Sequence, residues 1–150
     1  MTHPDPRLTS FGYVLWQLSH TAQLRMTQSL AQINLTLQQL GVLIHLARGD
    51  ASSTADLARM TLTTPQNMSL TVAKLEAAGY VTRRPHERHG RIQILDLTPA
   101  GARVLRRAVA RVTKVEDEML RGVPTSERES LTLAMRQCLA RLRAKKREPR

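Results

Sequence analysis

The sequence predicts a mainly α fold with one small β hairpin, on three observations. Apolar residues recur at helical spacing through six stretches, two of which open on a hydroxyl residue followed by proline (Thr64-Pro65 and Thr98-Pro99). One extended segment, Tyr80 to Leu97, changes to strand-like composition, and it is interrupted by the polar tip His86 to Gly90. Long amphipathic stretches at both ends carry more apolar surface than a short central domain would cover.

Taken in order, residues 1–7 read as a short lead. From Leu8 to about Ile33, Phe11, Val14, Leu15, Leu18, Ala22, Met26, Leu30 and Ile33 keep a helical period with no internal proline, which predicts one long helix. Thr36 with Gln39 three residues on forms a capping box for a second helix, whose inward stripe is Leu40, Leu43, Ile44 and Ala47 and which Gly49-Asp50 ends. Ser52 to Thr54 fits a very short strand, and Ser53 or Thr54 caps a third helix that turns in Leu57, Ala58 and Thr61 or Leu62. A few residues later Thr64 and Pro65 start the fourth, in which Met68, Val72 and Leu75 define the buried side and Gly79 supplies the stop. A strand through Arg83-Arg84-Pro85, the tip, and a strand from Arg91 to Leu97 follow. A fifth helix runs from Thr98-Pro99 to Gly122, and a sixth, about Ser126 to Lys146, places Leu131, Ala134, Met135, Cys138, Leu139 and Leu142 on one side. Two short helices joined by a tight turn and followed by a hairpin make a winged helix-turn-helix, flanked here by long N- and C-terminal helices.

The fourth helix and its hairpin are the candidate functional surface. Gln66, Asn67, Ser69, Leu70 and Lys74 face away from the apolar side, so the outward face is rich in hydrogen-bonding groups and almost uncharged. Amide side chains pair with adenine edges in the major groove, and Arg83, Arg84, Arg88 and Arg91 crowd the hairpin, where phosphates would be met. The expected partner is double-stranded DNA.

Charge supports that expectation. The formal net charge is +11, and its excess is focused: residues 83–91 hold four arginines against one glutamate, and residues 136–150 seven basic residues against one acidic. The basic C-terminal run also fits a solvated tail. One cysteine, Cys138, excludes an intrachain disulfide, fits a reducing cytoplasmic setting, and reads as a buried structural thiol. No apolar run approaches the length of a membrane span, so no membrane partner is expected. The sequence shows no nucleophile elbow, phosphate-binding glycine loop or paired carboxylates, so no enzyme and no cofactor is expected. His86 and His89 at a hairpin tip lack the further ligands that zinc needs, so no metal is expected.

The segments LTLQQLGVLIHLA, TADLARM, TPQNMSLTVAKLEAAGYVTRRP and LDLTPAGARVL, in this order and spacing, resemble the MarR family of bacterial transcriptional regulators, over about residues 8–142. The resemblance implies a winged-helix homodimer, with residues 8–34 and 99–146 as dimerisation helices and 35–98 as the DNA-binding core. It implies a repressor of a pseudo-palindromic operator, associated with the nucleoid when bound and released by a small ligand or an oxidant. Carried onto this chain, the reading helix is Thr64 to Ala78, with Gln66, Asn67, Ser69 and Leu70 nearest bases and Thr64 and Lys74 nearest phosphates. Leu70 either packs on a thymine methyl or turns inward. The family's wing has an Asp-x-Arg pair, of which Arg91 is kept while His89 stands at the Asp position. The family's ligand pocket lies between dimer helices and reading head; Trp16, His20, Arg25 and His45 are its candidate lining here, for an effector such as an aromatic carboxylate. The same residues also fit plain packing roles. A DNA-coating protein that does not read sequence is the alternative function.

Overall fold

The computed structural model describes residues 10–85 and 93–144. Its elements there are α1 (Phe11–Ala31), α2 (Leu37–Arg48), α3 (Thr54–Met60), α4 (Pro65–Ala77), β1 (Val81–Pro85), β2 (Gln93–Leu97), α5 (Pro99–Met119) and α6 (Thr125–Ala144). The chain divides into two compact units, residues 1–115 and 116–150.

Cap chemistry sets the helix starts in the first unit. Thr36 and Gln39 form the full reciprocal box at α2, the Ser53 side chain accepts from the Asp56 amide at α3, and Thr64 accepts from the Asn67 amide ahead of Pro65 at α4. Each occupies amide hydrogens that a helix start leaves without partners. β1 and β2 pair antiparallel, with Val81 opposite Leu97 and Pro85 opposite Gln93.

The core draws on every element of this unit. Leu30, Leu43, Leu57, Met68, Leu75, Val42 and Val72 are its largest fully buried side chains. Val81 and Leu95 from the hairpin and Val104 and Ala108 from α5 join them. Burial of each large aliphatic chain contributes roughly 1.5–3 kcal/mol, so α4 is anchored by its Met68, Val72 and Leu75 side while the opposite side stays open.

Thr98 ties the hairpin to both neighbouring helices. Its hydroxyl donates to the Gly79 carbonyl at 2.7 Å and accepts from the Gly101 amide at 3.0 Å, and its own amide donates to the Tyr80 carbonyl at 3.1 Å. Gly79, at φ 73°, turns the chain out of α4. Gly101 allows α5 to approach that turn: a Cβ there would lie 2.1 Å from the Tyr80 carbonyl oxygen.

In the second unit, the Arg128 side chain donates to the carbonyls of Val123 and Leu120, both at 2.8 Å, satisfying groups left open at the end of α5. No residue of α6 is buried.

Several expectations change. Residues 52–54 form no strand; a single bond, from the Leu95 amide to the Ser52 carbonyl at 3.0 Å, links this segment to β2. In α2, Ala47 is exposed and Val42 is buried instead, because a helix packed on more than one side buries beyond a single stripe. Thr71 of α4 is buried as well, its hydroxyl satisfied by the Asn67 carbonyl at 2.8 Å. Leu62 points out, and α5 ends at Met119 rather than at Gly122. Cys138 is exposed rather than buried, as are its neighbours on α6, none of whose residues is buried among the described residues.

Candidate nucleic-acid interface

The tight turn between α3 and α4 fixes how the candidate reading helix is presented. Thr61 and Leu62 follow α3, the Thr63 amide donates to the Ala58 carbonyl at 3.0 Å, and the Gln38 side chain reaches the Thr63 hydroxyl at 3.4 Å. Gln38, at the start of α2, was not singled out from the sequence; its partner lies 25 residues away and is brought close only by folding. Leu62 adopts φ 53°, which a branched side chain rarely does, and its side chain is 80% exposed.

Gln66, Asn67, Ser69, Leu70 and Lys74 are all exposed on α4, as the periodicity requires, and so is its N-cap Thr64. Of the two readings of Leu70, the outward one holds: it is 58% exposed. The Ser69 hydroxyl donates back to the Pro65 carbonyl at 2.9 Å and keeps acceptor capacity facing out. This face has hydrogen-bonding groups, one large apolar side chain, Leu70, and one cation, Lys74.

The two hairpin arginines among the described residues, Arg83 and Arg84, are held by carboxylates. Arg83 Nε donates to Glu76 Oε1 at 2.7 Å, joining β1 to the last turns of α4. Arg84 pairs with Asp96 across the two strands, where the register sets Arg84 opposite Ile94 and Asp96 opposite Thr82. Both pairs are partly exposed, so they orient the guanidinium groups more than they stabilise the fold. Arg88 and Arg91, with His86 and His89, lie outside the described residues.

At α3, Asp56 accepts from the Ser53 hydroxyl at 2.6 Å and pairs with Arg59. The Ser53 hydrogen bond foremost, with Arg59 adding to it, holds the Asp56 carboxyl below its ordinary value against the opposing effect of burial.

The four candidate ligand residues are not gathered into one site by their contacts. Trp16 and His20 stack at 5.8 Å between ring centroids with 10° between planes, and Tyr13 stacks on the other side of Trp16 at 6.0 Å. Trp16 is 60% exposed, so it is not a core residue of the chain. His45 is engaged elsewhere, 2.9 Å from Asp50, which also receives Arg48 at 3.3 Å. Arg25 is exposed on α1.

Known proteins decide the family. The model of the MarR family matches residues 33–92. The HTH-type transcriptional repressor Rv2887 of Mycobacterium tuberculosis is 32% identical over 109 residues, covering 73% of this chain and 78% of that protein. The chain belongs to the MarR family. Among solved structures, the transcriptional regulator BldR from Sulfolobus solfataricus superposes with a TM-score of 0.77 at 25% identity, covering 94% of this chain and 99% of that one. Rv2887 in complex with salicylic acid superposes with a TM-score of 0.72 at 27% identity, over 86% and 96% of the two chains. This MarR-family chain is thus a winged-helix, DNA-binding transcriptional regulator, and α4 followed by β1 and β2 is its helix and wing.

Proposed function

We propose that the protein is a homodimeric repressor that reads a pseudo-palindromic operator through α4 and is released from it by a small ligand. The observation that carries the reading is the outward face of α4: Gln66, Asn67, Ser69 and Leu70 are exposed together, and only Lys74 among the face's residues is charged. A protein that merely coats DNA needs cations, whereas amide and hydroxyl groups gain only by meeting base edges. In this reading Gln66, Asn67, Ser69 and Leu70 meet bases. Thr64, Lys74, Arg83 and Arg84 meet the sugar-phosphate backbone, and Arg88 and Arg91 are assigned to the same surface on sequence alone.

The dimer is supported by apolar side chains that single-chain packing leaves in solvent: Phe11, Val14 and Trp16 on α1, and Leu131, Leu133, Leu139 and Leu142 on α6, are each at least 45% exposed. A two-fold dimer would place two reading helices roughly one helical turn, ~34 Å, apart. For the ligand, Rv2887 is a relative whose structure holds salicylic acid. The exposed Trp16–His20 stack offers a ring surface for an aromatic ligand of that class; Arg25, nine residues on from Trp16, falls on another side of α1 and is assigned to the ligand on the family resemblance alone.

The test is an Asn67→Ala variant titrated against operator and random duplex at one salt concentration. The reading predicts a loss of about 1–3 kcal/mol on the operator and little on random DNA. Equal losses on both would show that Asn67 does not read bases.

A further inference from the structure

We propose that a cleft between the C-terminal half of α1 and the middle of α5 binds a compact, multiply charged anion of the phosphate class, separately from the DNA surface. The cleft has a volume of about 420 Å³ and is lined by Ser29, Gln32, Arg107, Ala110, Arg111 and Lys114. Arg107, Arg111 and Lys114 fall at i, i+4 and i+7 of α5, so the helix presents three cations on one side. No lining residue is a carboxylate.

The three cations differ in how they are held. Arg111 is half-buried, and its Nη1 donates to the Ser29 carbonyl at 3.2 Å and to Gln32 Oε1 at 2.6 Å. Those two bonds fix the guanidinium plane and leave the edge formed by Nε and Nη2, the edge that meets two oxygens of one anion side by side. Arg107 and Lys114 are exposed and have no ion-pair or hydrogen-bond partner among the described residues, unlike Arg83 and Arg84 of the hairpin. The cleft therefore holds one oriented arginine flanked by two cations that have no partner among the described residues. Such a wall favours a group of two or more negative charges over a monocarboxylate. It does not favour an aromatic ligand, because Ala110 is the one apolar side chain lining it and no ring faces it.

Inorganic pyrophosphate titrated calorimetrically into the full chain tests this, with acetate as the monoanion. The proposal predicts saturable pyrophosphate binding, no saturation with acetate, and at least tenfold weaker pyrophosphate binding in Arg107→Ala/Lys114→Ala, whose changes are at exposed positions and leave Arg111 in place. Arg136→Ala/Arg141→Ala removes the same charge from α6 and is predicted to change the affinity less than twofold. Absence of saturation, or equal weakening in both double variants, would overturn the proposal. Titration of duplex DNA separates the source of the phosphate. The two double variants should bind duplex alike, and a loss of duplex affinity confined to Arg107→Ala/Lys114→Ala with pyrophosphate binding intact would assign these cations to the DNA backbone and contradict a separate site.

Discussion

Arg83 of β1 donates to Glu76 of α4 at 2.7 Å, so the first strand of the wing is tied to the helix that carries the amide-rich face. The pair cancels a positive charge beside the proposed DNA surface and orients the guanidinium it neutralises. Glu76→Gln removes the neutralisation while keeping a hydrogen-bonding side chain. The expected outcome is tighter binding to random DNA, a salt dependence steeper by about one unit of log K against log salt, and a stability change below about 1 kcal/mol, because the pair is partly exposed. Titrations at several salt concentrations and a thermal melt read all three.

Gly101→Ala should be among the most damaging single substitutions in the first unit. The added Cβ would sit 2.1 Å from the Tyr80 carbonyl oxygen and 2.8 Å from Leu97 Cδ1, and the first of these is backbone that cannot rotate away. A loss of about 1–3 kcal/mol or more is expected, measured as a lowered midpoint of chemical unfolding.

Leu62 makes the opposite prediction. At φ 53° with its side chain 80% exposed, it holds a backbone conformation that costs a branched residue roughly 1–2 kcal/mol and gains little from burial. Leu62→Gly should leave stability unchanged or raise it by up to about 1 kcal/mol, the relief of strain being offset in part by the greater freedom of glycine in the unfolded chain. A clear fall in thermal midpoint would mean that the side chain makes contacts the single chain does not show.

Acid should weaken the start of α3. The Ser53 hydrogen bond, and then Arg59, hold Asp56 below its ordinary value of 3.8, so its contribution is fully present above that value and is lost as pH falls through the lower folded one. Thermal midpoints compared between pH 7 and pH 3 should fall less for Asp56→Asn than for the unmodified protein. An identical fall would remove Asp56 from the account.

Much of this architecture was legible because cap chemistry is local. Thr36 with Gln39, Thr64 with Pro65, and Thr98 with Pro99 declare helix starts within four residues, and the structure uses all three. The outward face of α4 was legible for the same reason, since helical spacing alone separates Gln66, Asn67 and Ser69 from Met68 and Val72. Relations between elements were not. Arg84 was expected simply to face phosphate, and its engagement by Asp96 depends on a strand register that no local pattern sets. Arg111 meets Gln32 across 79 residues of sequence, so the cleft they share has no sequence signature. Cys138 shows a further limit: spacing tells which side of α6 is apolar, but not whether anything in the same chain covers it.

The most direct test of the central claim, that α4 reads a two-fold operator, is a selection of duplexes from a random pool by the purified protein, followed by titration of the best duplex and a scrambled copy at one salt concentration. The account predicts an inverted repeat with half-site centres roughly one helical turn, ~34 Å, apart, bound at least about a thousandfold more tightly than the scramble. Equal affinity for both, with no repeat emerging from the selection, would contradict it.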